Sequence, residues 1–130
     1  MGAADEIWNR AATTGGGPEP RPGDLALASA LGVHNLAMSG GLLDAVERSS
    51  PDQLDAADAG FRWLRMAAAA DVVAIVRREV EAGVLDDDQR AEALELRAND
   101  EYADVVPTDQ TLVDAFEARL AEEPGAFASL

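Results

Sequence analysis

Apolar residues recur three and four positions apart along most of this chain, and no segment keeps the two-residue alternation of a strand. Asp5 to Ala12 reads as a short helix anchored by Ile7 and Trp8. Leu25 to Met38 has apolar residues on all sides, as expected of a helix in the middle of a domain, with Asp24 as its N-cap. Gly40 and Gly41 interrupt it before a further helical stretch from Leu42 to Arg48. Ser50, Pro51 and Gln53 form a capping-box signature, and Leu54, Ala57, Phe61 and Leu64 follow at helical spacing. The alanines from Ala67 to Ala70 give no stop signal, so Asp52 to Glu81 is one long helix or two short ones. Gly83 is placed to end that region, and Asp86, Asp87 and Asp88 make a turn whose charges suit the start of a helix through Ala91 to Tyr102. Pro107 and Thr108 open the last helix, which buries Leu112, Val113, Phe116 and Leu120 and ends at Pro124.

The elements predict an all-α fold, a compact single-domain bundle of about six to seven short helices spanning residues 1–130. Within it, residues 13–23 are rich in glycine and proline and read as a flexible connector, leaving 24–127 as the core helical domain. The large core residues expected are Ile7, Trp8, Phe61, Trp63, Leu64, Met66, Ile75, Leu94, Tyr102, Phe116, Leu120 and Phe127, with the leucines and valines between Leu25 and Val46.

Charge changes this picture from a generic bundle to a polarised one. From Glu79 to Leu130 fifteen acids face three arginines, net -12, whereas the first 78 residues carry ten acids and seven arginines, net -3. Such a field repels phosphates and anionic lipid and selects basic surfaces, so neither nucleic acid nor membrane is an expected partner. No apolar run approaches the roughly 20 residues of a membrane span, and the acidic start is unlike a signal peptide, which makes the cytoplasm the expected location.

The residue inventory excludes much chemistry. There is no cysteine and no lysine, so disulfides, thiolate nucleophiles, Cys-based zinc sites and P-loops are out. His34 is the single histidine, and its apolar neighbours favour a hydrogen-bonded buried ring over an acid-base catalyst. Glu92 and Glu95 form E-x-x-E, and Glu101 and Asp104 form E-x-x-D, a spacing that holds Mg²⁺ when two such pairs face each other on separate helices. Here both pairs fall on one helix or its end, so a metal-dependent hydrolase is the alternative, and neither a metal nor another cofactor is expected.

The stretch Met38-Ser39-Gly40-Gly41-Leu42, together with Asn99-Asp100-Glu101-Tyr102, Glu123-Pro124 and Phe127, resembles the bacterial DNA mimic protein family over roughly Asp24 to Phe127. The family's characteristic stretch is a Glu, then Asn-Gly-Gly, an aromatic and a Gln. Ser39 stands here for the Asn, Leu42 for the aromatic and Asp44 for the Gln, and no Glu precedes them. The resemblance implies an all-helical domain whose acidic side chains occupy the DNA-binding face of a transcription regulator.

The expected function is therefore a non-enzymatic acidic protein, monomer or homodimer, that binds a basic protein surface. The partner-binding residues are expected to be Asp86, Asp88, Glu92, Glu95, Asp100, Glu101 and Asp104, with no catalytic or metal-ligating residue. A third reading is an accessory or immunity-type domain with mainly apolar contacts.

Overall fold

The computed structural model describes residues 2–130, and those residues form seven α-helices with no strand. They are α1 (Ala3–Thr14), α2 (Pro22–Gly40), α3 (Leu42–Arg48), α4 (Pro51–Trp63), α5 (Ala67–Glu81), α6 (Asp88–Val105) and α7 (Asp109–Glu122), with single 3₁₀ turns at Val84–Asp86 and Pro124–Ala126. α2 is the central element, as its all-round apolar pattern demands, and α1, α3 and α4 pack around it. α5 lies on α4, and α6 closes the bundle against α5 and α3. α4 approaches α2 so closely that a Cβ on Gly60 would collide with the Ala26 carbonyl, so glycine is required there.

The region from Asp52 to Glu81 is two helices, and its break has a clear cause. Arg65 adopts a left-handed conformation (φ 61°), Met66 N–H returns to the Phe61 carbonyl at 2.8 Å, and Arg65 N–H returns to Arg62 at 3.0 Å. This is a Schellman closure with arginine in the position glycine usually takes. Arg65 is held there by Glu122 at the end of α7, 2.8 Å away. The capping box forms as the sequence implies, Ser50 Oγ accepting from Gln53 N–H and Gln53 Oε1 from Ser50 N–H.

Several boundaries move. α1 runs on to Thr14 and α2 starts at Pro22, so the connector contracts to Gly15–Arg21. It turns through three positive-φ glycines and folds over the Arg10 side chain at Gly17, while Gly16 is buried against Asp24 and Pro20. Asp24 is not the N-cap. Pro22, whose fixed φ suits a first helical position, puts Arg21 at the cap, and Asp24 in the first turn reaches back to accept Arg21 N–H at 3.0 Å. The core also begins before residue 24, since Ile7 and Ala11 of α1 are buried in it.

Among the expected core residues, Ile75 is 40% exposed because α5 buries its other flank through Ala69, Val72, Val73 and Val76. Trp8, Trp63 and Leu120 are half-buried. Phe116 packs between Trp8 and Phe127, with ring centroids 5.9 and 5.5 Å away, and Phe127 meets Trp63 edge-on at 5.6 Å. α7 is attached by these long side chains and by Arg119, which lies 4.2 Å over the Trp63 ring and donates to the Trp63 carbonyl.

Candidate functional site

α6 is a helix with one buried side. Leu94, Ala98 and Tyr102 face the core, and the opposite side is open to solvent. Asp87 caps it, accepting from the N–H groups of Gln89 and Arg90, and Asp88 adds charge favourable to the dipole in the first turn. At about 100° per residue, Asp88, Glu92 and Glu95 fall in one row, while Asp100 and Asp104 lie roughly 130° further round. Between them Leu96 is 63% exposed, with Glu92 one turn before it and Asp100 one turn after.

Asp86, Asp88, Glu92, Glu95, Asp100 and Asp104 have no cationic or hydrogen-bonding partner for their side chains among the described residues. The nearby cations do not neutralise them. Arg97 is engaged by Glu79 at 2.7 Å and Glu101 at 4.0 Å, and Arg90 makes no ion pair among the described residues. Glu101 is thus the exception among the seven residues expected to bind a partner: half-buried and paired with Arg97, it lies on the opposite flank from the Asp88 row. Leu96 was missed by sequence reasoning, although the helical period alone places it outward.

The same geometry disposes of the two-pair metal arrangement within one chain. Glu92 and Glu95 point to one flank of α6, and Glu101 and Asp104 point about 180° away. Among the described residues no three acids or histidines are grouped to hold an ion.

Beneath α6 lies a polar chain that crosses three helices. His34 of α2 is 1% exposed, its Nδ1 is 2.8 Å from Tyr102 Oη of α6, and its Nε2 is 2.7 Å from Asp109 Oδ1 at the start of α7. An ionised Asp109 accepts from an Nε2–H, which leaves Nδ1 to accept the tyrosine proton. Burial, and then the charge of Asp109, push the Tyr102 hydroxyl well above the ordinary tyrosine value. That shift keeps the hydroxyl protonated and donating to His34, so the chain ties α2, α6 and α7 together.

The Asn99-Asp100-Glu101-Tyr102 stretch divides accordingly. Asn99 Oδ1 accepts Leu42 N–H at 3.1 Å and so caps α3, closing on Gly41, whose positive φ and contact with Asn99 leave no room for a Cβ. Tyr102 holds His34 and Glu101 holds Arg97, leaving Asp100 as the free residue.

A second polar cluster ties the C-terminal segment to the first two helices. Asp24 is fully buried and accepts from Arg10 Nη2 (2.9 Å), Arg21 N–H (3.0 Å) and Ala128 N–H (2.7 Å). Arg10 also donates to the carbonyls of Ala128 and Ser129, and Gly23 lacks the Cβ that would strike Ala126 and Phe127.

Compared with known proteins, the chain significantly matches no family model, no curated protein and no solved structure. No helix of the described residues is long and apolar enough to cross a membrane.

Proposed function

We propose that this is a non-enzymatic interaction protein whose α6 face binds a basic surface on another protein. The observation that carries the reading is the set of six unpartnered carboxylates from Asp86 to Asp104 around the exposed Leu96. In a chain where seven of the ten arginines are spent on ion pairs, charge left open on one helix is available to a partner's cations. Leucine among carboxylates supplies the desolvated centre that a protein interface needs inside a charged rim.

Magnitudes narrow the partner. Asp88 to Asp104 spans about 24 Å of helix, so the five open acids on it stand roughly 6 Å apart along the axis, against about 1.7 Å per charge on duplex DNA. α6 alone is therefore a sparse imitation of a phosphate backbone, and the fit is to a few cations around an apolar pocket. Occupying the DNA-binding face of a regulator is the narrower form of this reading.

Capture from lysate at low ionic strength, with the native protein and an Asp88→Asn/Glu92→Gln/Glu95→Gln variant as baits, tests it. The native bait should retain a basic protein that the variant retains at least tenfold less well. Equal retention by both baits removes α6 from the interface. Displacement of the captured protein by duplex DNA separates the narrower form from the general one.

A further inference from the structure

The outward side of α2 differs from the rest of the surface. Leu25, Ala28, Ser29, Gly32 and Leu36 line one side of a groove of about 440 Å³, and Asp52, Gln53 and Ala56 of α4 line the other. Leu25 is 50% exposed, and from Leu25 to Gly40 α2 carries no acid or arginine. Gly32 is exposed in the middle of the helix, where glycine is the poorest choice after proline, and a Cβ there would touch nothing within 4 Å. No internal contact explains this glycine, unlike Gly23 and Gly60, whose added Cβ atoms would strike neighbouring backbone.

The order of sizes along the groove reads nearly the same in both directions. Leu25 and Ser29 are followed by Gly32 and Leu36, so an antiparallel copy of α2 centred between residues 30 and 31 sets Ser29 level with Gly32 and Leu25 with Leu36, while Val33 is turned into the core. A two-fold axis requires such self-complementarity. Charge points to the same occupant. Two copies at net -15 repel each other through most of their surface, and the α2 side of the groove, which carries no acid or arginine, lets them approach. The groove-lining acid Asp52 lies at the Leu36 end, so the axis would hold the two Asp52 residues at opposite ends of the contact.

We propose that the α2 groove is a self-association surface, occupied by α2 of a second copy in antiparallel register with small residues at the crossing and leucines at both ends. The contact covers about 17 Å of helix, on the order of 300 Å² per copy, well below the ~800 Å² per partner of a stable complex. The dimer is accordingly weak, forming at high protein concentration. Because it works against like charge, it strengthens as salt is added, the reverse of the salt response of the α6 face.

Sedimentation velocity from 1 µM to 1 mM protein at about 50 and 500 mM NaCl tests the proposal, these being chosen to bracket the screening of surface charge. The expected result is a dimer fraction that rises with concentration and is larger at the higher salt. Gly32→Glu, which has open space for its side chain, should keep the native circular dichroism and melting profile and stay monomeric. Since the native chain holds no cysteine, Ser29→Cys and Gly32→Cys chains, mixed and oxidised, should cross-link to each other more readily than either does to itself. A monomer under all conditions, including one that instead takes up an amphipathic helical peptide, overturns the proposal, as does a dimer that survives Gly32→Glu. A failed α6 capture experiment with an intact dimer would leave this inference standing.

Discussion

Asp24 and Glu92 carry the same charge under opposite circumstances. Asp24 has no exposure and accepts three hydrogen bonds, one from a guanidinium, whereas Glu92 is exposed and its carboxylate has no partner among the described residues. In the first region a carboxylate is part of the packing, because removing it would leave Arg10 without its charged partner and the Ala128 N–H without its acceptor. In the second, a carboxylate adds nothing to the packing and slightly opposes its neighbours along the helix. The difference separates acids that hold the fold from acids available for something outside it.

The comparison is broken most directly at its buried end. Asp24→Ala should cost about 3 kcal/mol or more in urea unfolding, since it strands a largely buried arginine and frees the C-terminal segment. A loss under about 1 kcal/mol would mean the cluster is no stronger than a surface pair. Tyr102→Phe, which deletes the donor to His34 while keeping the ring, should cost roughly 1–2 kcal/mol in the same assay. The hydroxyl also predicts a pH effect. Its folded value lies above the unfolded one, so its contribution is fully present below about pH 10 and is lost as pH rises from there toward the folded value. Unfolding midpoints followed above pH 10 should fall more steeply for the native chain than for Tyr102→Phe.

At the other end, Glu92→Gln/Glu95→Gln should leave stability within about 0.5 kcal/mol of the native chain, with any change a gain, because a like-charge pair on α6 is relieved. A large loss would move these acids into the class of Asp24. Arg65→Gly is the finest probe. It removes left-handed strain of roughly 1 kcal/mol, set against the flexibility of glycine and the lost Glu122 pair, so a net change within about 1 kcal/mol is expected in thermal unfolding.

Much of the helical order was legible because local signals sufficed for it. Ser50 and Gln53 announce α4, Gly83 closes α5 and the triple aspartate opens α6, each through groups within a few residues of one another. What stayed hidden depends on distant partners. Nothing near Leu64 marks the break after α4, because its left-handed residue is an arginine held by Glu122, 57 positions later. The role of His34 was legible as a buried, bonded ring, but its partners lie 68 and 75 positions away. For the acidic face, sequence located the charge and sets Arg97 four residues before Glu101, while the structure adds the Glu79 partner of Arg97, 18 positions away, and leaves the neighbouring acids open. The outward position of Leu96 follows from the helical period alone, since it lies one turn from both Glu92 and Asp100.

The Arg10–Ala128 hydrogen bond joins residues 118 positions apart. At 5–20 residues per second, a ribosome needs on the order of 6–24 s to go from one to the other. During that interval α1 and α2 can meet, but the Arg10–Asp24 pair lacks Ala128 N–H and the ring of Phe127. α1 and α2 therefore emerge well before the segment that completes their polar core. A nascent chain stalled before Phe127 should be the form most open to proteases and chaperones.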